Sequence, residues 1–187
     1  MKKVIIALTS VLTALAVGIG ALFFWEYRSK AQLEAQVEDY LGGCDVTASG
    51  IEVHGRPYIL SAMAERAELT YVDLAPQAGT KKDQLIVHEL SDGRAARVSR
   101  FVTFDYPQAD ARPVEDEAGA FTDQATMGGK TVTFSGTAGD GKLEVFADDR
   151  SIGSLDLPNG ATLTSVFANN DGVAAEIEYA DPTCARA

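Results

Sequence analysis

The stretch Lys130-Thr131-Val132-Thr133-Phe134-Ser135-Gly136-Thr137-Ala138-Gly139-Asp140-Gly141-Lys142-Leu143-Glu144-Val145-Phe146-Ala147 decides the fold class. Its two flanks, 130–136 and 142–147, have the β-branched and aromatic content of short strands. Asp140-Gly141 between them tolerates the positive φ of a tight hairpin turn. An antiparallel hairpin is expected. The same residues hold a decoy, since 136–142 fits the first seven positions of a phosphate-binding loop. Leu143 then stands where Ser or Thr should hold magnesium, and a strand pattern follows where a helix N-terminus should hold the phosphates.

Outward from this hairpin the same signal recurs at 46–53, 67–74, 84–90, 98–106, 161–168 and 172–179, punctuated by Asp92-Gly93, Asn159-Gly160 and Asp171-Gly172. These segments predict an antiparallel sheet with sequence neighbours paired. One helix interrupts it: Pro57 at a first-turn position, then Tyr58, Ile59, Leu60, Met63 and Ala64, apolar over about half the circumference. Residues 107–119, with two prolines and four acids, read as a loop. Upstream, Leu33, Val37, Tyr40 and Leu41 recur at helical spacing before Gly42-Gly43, so 30–41 forms an amphipathic helix that either extends the preceding segment or packs on the domain. No internal repeat is present.

Residues 4–25 carry no charge, and at about 1.5 Å per residue they cross a hydrocarbon core of roughly 30 Å. Lys2 and Lys3 precede them, and Trp25 and Tyr27 mark the far boundary, where amphipathic rings prefer the lipid–water interface. The profile is that of a signal anchor, 1–30, ahead of one domain, 31–187, on the outer side of a cytoplasmic membrane. The rival is a signal peptide cleaved after Ala14-Leu15-Ala16, which would leave 17–25 as an apolar tail. With four of the 16 basic and one of the 27 acidic residues in 1–30, the domain has 12 minus 26, or −14. Such a charge repels phosphate backbones, which disfavours nucleic acid and docking on anionic lipid. Lys81, Lys82, Arg94, Arg97 and Arg100 are local basic groups, read as solvated surface with a headgroup or an acidic partner as the lesser option.

Cys44 and Cys184 stand at the two edges of the domain. In an oxidising compartment a Cys44–Cys184 disulfide would close nearly all of it, and a loop that long could contribute roughly 5 kcal/mol in the chain-entropy description. Leu41-Gly42-Gly43-Cys44 has lipobox letters but lies behind the charged stretch 34–39, so lipidation is not expected. His54 and His88 show no zinc-ligand spacing with these cysteines. Neither a Gly-x-Ser-x-Gly elbow nor Ser-x-x-Lys is present, and the acid pairs Asp148-Asp149 and Glu115-Asp116 sit in turn or loop composition. No enzyme, metal or cofactor is expected.

The residues 46–60, with Gly55-Arg56-Pro57-Tyr58-Ile59 between a strand and a short helix, and 67–73 after them, resemble the LmeA-like phospholipid-binding family of actinobacterial cell envelopes. So do Leu157-Pro158 followed by Leu163 and a strand running toward Asp171-Gly172-Val173, and the helix at 32–41. Tyr58 departs from the family's Phe, Glu65-Arg66 replaces a common Gly, and 75–125 does not align. The resemblance implies an α+β, tubular lipid-binding-like fold: a long curved antiparallel sheet wrapped around one or two helices, with acyl chains held between them. It points to binding, with transfer or presentation, of phospholipid or a related lipid by a tethered, non-catalytic periplasmic domain.

The candidate lipid-binding residues are Tyr58, Ile59, Leu60, Met63, Val102, Phe104, Val132 and Phe134, each of which ordinary core packing explains as well. A curved sheet closed on a helix is either filled by side chains or open to a ligand. The alternative function is therefore a tethered scaffold or interaction module with a filled core. An apolar groove beside the 58–63 helix would favour lipid binding; a sealed core would favour the module.

Overall fold

With no proline between residues 2 and 42, nothing forces a break in the first helix. In the computed structural model it is one unbroken element, α1 (Lys2–Gly42). The structure describes residues 2–43, 46–55, 57–114, 119–158 and 160–180, and the side chains of 2–9 and 11 lie outside the description. Ser29, Leu33, Val37 and Leu41, at steps of four, are buried on one face of α1, whereas 12–25 are exposed throughout. The segment 30–41 thus does both things offered for it, continuing the preceding helix and packing on the domain, and the apolar half projects beyond it. Among the described residues no helix is long and apolar enough to cross a membrane; the expected span begins in residues whose side chains are not described.

The body is α+β, with two antiparallel sheets. The first pairs β1 (Ala48–His54), β2 (Arg66–Leu74), β3 (Lys82–Ser91), β4 (Arg97–Phe104), β10 (Ala161–Asn169) and β11 (Gly172–Tyr179) in the order β1-β2-β3-β4-β11-β10. The second runs β5 (Arg112–Pro113), β6 (Thr122–Met127), β7 (Lys130–Gly139), β8 (Lys142–Ala147) and β9 (Arg150–Asp156) in sequence order. Helix α2 (Tyr58–Met63) lies between β1 and β2 in the chain.

This corrects the expectation of a single long sheet. The excursion β5–β9 forms a sheet of its own, so the C-terminal hairpin of β10 and β11 returns to the first sheet and adds there through β11, which pairs with β4 as well as with β10. All eight expected strands form, and Gly139 pairs with Lys142 across Asp140-Gly141 as the hairpin requires, with φ of 51° and 72° at the turn. Three strands were not expected. Two of them, Thr122–Met127 and Arg150–Asp156, are poor in strand-forming residues and take their conformation from neighbours on the sheet. The third, β5, lies inside the expected 107–119 loop. Cys44, Arg56, Glu115, Asp116, Asn159 and Cys184 lie outside the described residues, and the expected disulfide lies there with them.

Two hydrophobic cores result. The first joins Leu33, Val37 and Leu41 of α1 and Tyr58 and Ala62 of α2 to Val72, Leu85, Val87 and Val98 on β2–β4. The second joins Val102, Phe104, Val173 and Ile177 of the first sheet to Phe134, Leu143, Val145 and Leu155 of the second. Asp123 on β6, itself buried, fastens the sheets: its carboxylate accepts the backbone N–H groups of Gln124 and of Ala168, each at 2.7 Å.

Candidate functional site

Side chains alternate along a strand, so Val98, Arg100, Val102 and Phe104 share one face of β4, as do Asp83, Leu85 and Val87 on β3 and Ile177 and Tyr179 on β11. Val98, Leu85 and Val87 belong to the helix-covered core, and Val102, Phe104 and Ile177 to the sheet-covered one. Arg100 and Asp83 fall at the boundary. The guanidinium donates from Nε to Asp83 Oδ1 at 2.7 Å and from Nη2 to Oδ2 at 2.5 Å, with side chains 8% and 1% exposed. Burial by itself would lower the Arg100 pKa, yet the bonds to Asp83 and the neighbouring Tyr179 leave it raised. Burial likewise raises the Tyr179 phenol, with Arg100 opposing. A charged, fully paired seam therefore separates the two apolar compartments.

The expected lipid-binding residues divide across that seam. Tyr58 is buried, Ile59 half-buried, and Leu60 and Met63 exposed on α2, all at the helix-covered end. Val102, Phe104 and Phe134 are fully buried and Val132 partly so in the other core. The structure does not bring the eight together, and this corrects the expected groove between α2 and the strands around Phe104 and Phe134. The second core is filled: a Cβ placed on Gly153 would overlap the Phe104 ring. None of the described cavities is lined by a residue of α2. A cavity of about 610 Å³ opens instead between Phe121, Leu157, Leu163 and the Gly136–Gly141 backbone of the phosphate-loop look-alike.

Helix α2 is attached in an unusual way. Its N-cap, Pro57, supplies no side-chain acceptor. The carboxylate of Glu26 on α1 takes that place, accepting the backbone N–H of Tyr58 at 2.8 Å and of Ile59 at 3.1 Å. Two first-turn helix donors thus meet a negative group, the arrangement a helix N-terminus favours. Tyr58 and Ala62 turn inward, and the Tyr58 hydroxyl donates to the carbonyl of Val53 at 3.1 Å. Leu60 and Met63, three apart, share the opposite face at 62% and 79% exposure.

Of the basic groups read as surface, Arg100 is the exception, since it is buried. Lys81 and Lys82 are exposed and pair with Asp105 at 3.4 Å and Asp171 at 2.5 Å. Arg97 meets His88 Nε2 at 3.1 Å, and burial followed by the Arg97 charge lowers the His88 pKa. His54 lies edge-on to Tyr71, ring centroids 4.8 Å apart. Among the described residues, no group of three or more His, Cys, Asp or Glu could hold a metal ion.

Sequence reasoning missed Glu26, Asp83 and Asp123. Only Asp83 left a trace, as an acid directly before the expected strand 84–90. Comparison with protein-family models found no match, and comparison with curated proteins and with solved structures found none either. The LmeA-like likeness rests on the quoted residues alone.

Proposed function

We propose that this chain is a non-catalytic, membrane-tethered interaction module of the cell envelope, held by α1 with its domain on the extracytoplasmic side. The filled interior carries this reading. Arg100 and Asp83 pair at the seam and Phe104 packs against Gly153 within the second core, contacts that an acyl chain running from one half to the other would have to break. What the domain offers a partner is its surface, which at −14 suits a basic one. A Cys44–Cys184 disulfide belongs to the same proposal, and peptide mass spectrometry without reduction tests it.

The second reading, binding of phospholipid or a related lipid, is favoured by Leu60 and Met63, which present apolar surface beside the tether. Organic extraction of the purified full chain separates the two. The module reading expects no stoichiometric lipid and no binding of a labelled phospholipid; one lipid per chain would overturn it in favour of the lipid reading. The tether is checked separately, by protease added outside spheroplasts, which should degrade the domain. Full protection would remove the topology on which both readings stand.

A further inference from the structure

Leu60 and Met63 lack an intramolecular explanation. Tyr58 and Ala62 already bury the inward face of α2, so its outward face could be polar without loss to the fold. The position of α2 along α1 is also fixed, because Glu26 follows Trp25 directly and holds both first-turn amides of α2. Residues 12–25 of the helix are exposed throughout, Trp25 at 60%, and Tyr27 just beyond them is 77% exposed. The aromatic boundary of the apolar segment and the apolar face of α2 therefore lie at one level.

We propose that α2 is an interfacial wedge: Leu60 and Met63 enter the headgroup–acyl boundary of the same leaflet in which α1 stands, so that the domain rests on the bilayer at two points. This rests on the tethered reading above, and it accounts for the exposed pair without removing any lipid from the bilayer. Interfacial helices place an apolar face just below the headgroups in this way. The Glu26 carboxylate, which stands next to that zone, is held by two hydrogen bonds from the α2 amides rather than left without protein partners. The exposed acids Glu65 and Glu68 lie close to α2, so the fitting surface is a zwitterionic leaflet rather than an anionic one.

The test uses the full chain reconstituted in phosphatidylcholine vesicles whose acyl chains carry bromine at a shallow position. Trp25 is the only tryptophan, so wild type reports the tether and Trp25→Phe/Leu60→Trp reports the wedge. Exposure of residue 60 leaves room for the indole without disturbing the core. The wedge predicts that tryptophan 60 is blue-shifted, quenched by bromolipid to the extent Trp25 is, and shielded from acrylamide. If Trp25 is quenched by bromolipid but tryptophan 60 is quenched only by acrylamide, the wedge is overturned and the tether stands. If tryptophan 60 is quenched by neither, something other than lipid covers α2, and the wedge is again overturned. If bromolipid quenches neither tryptophan, tether and wedge fall together.

Discussion

The ring of Phe104 on β4 lies against the backbone of Gly153 on the facing sheet, so closely that a methyl group on residue 153 has no room. Gly153→Ala should therefore overpack the second core and cost about 1–3 kcal/mol. Phe104→Leu in the same chain should recover part of that, because the two changes share one space. Denaturant unfolding of both variants and the double checks this. Additive losses would show that the ring and the glycine do not meet.

Removing one partner of the seam leaves the other charge buried. Asp83→Ala should cost about 3–5 kcal/mol, whereas Asp83→Leu with Arg100→Met should lie near wild type. Unfolding midpoints measure the difference. A mild Asp83→Ala would mean that water reaches the guanidinium, and with it that the two compartments communicate.

Glu26→Ala withdraws the carboxylate that accepts from the Tyr58 and Ile59 amides. Bonds to a charged acceptor contribute about 1.5–3 kcal/mol, so exchange at these two amides should accelerate at least roughly tenfold, with Leu33 and Val37 unaffected. Glu26→Gln should recover part of the protection. Equal acceleration along α1 would instead indicate that Glu26 supports the helix as a whole.

Burial, reinforced by the charge of Asp123, pushes the Tyr106 phenol from the ordinary 10.0 up to about 12. Its hydroxyl donates to the Asn169 carbonyl at 2.8 Å. The folded chain thus holds this proton between pH 10 and 12 where the unfolded chain has lost it. The contribution to stability is complete below pH 10 and disappears as pH rises through 12. Tyrosinate absorbance of wild type minus Tyr106→Phe should titrate near 12; a midpoint near 10 would place the phenol in water.

Local chemistry made most of the strands legible. Asp140-Gly141 announced its hairpin because positive φ is a property of the dipeptide itself. The strand at Arg150–Asp156 left no such mark, since Gly153 is there to admit Phe104 from a residue about fifty positions away. The seam was hidden for the same reason: Arg100 reads as one more surface base until β3 brings Asp83 beside it. The α2 residues were rightly read as apolar on half a turn, but which half faces the core depends on Glu26, and that link spans more than thirty residues.

Helix α1 has no joint between its projecting half and the half that packs under the sheets. Any tilt taken by the first is passed whole to the second. A hydrophobic stretch longer than the local bilayer leans, and it leans more as the bilayer thins. In the tethered arrangement proposed above, a domain fixed to such a lever would swing with it, and bilayer thickness would set the angle at which the acidic surface meets whatever approaches.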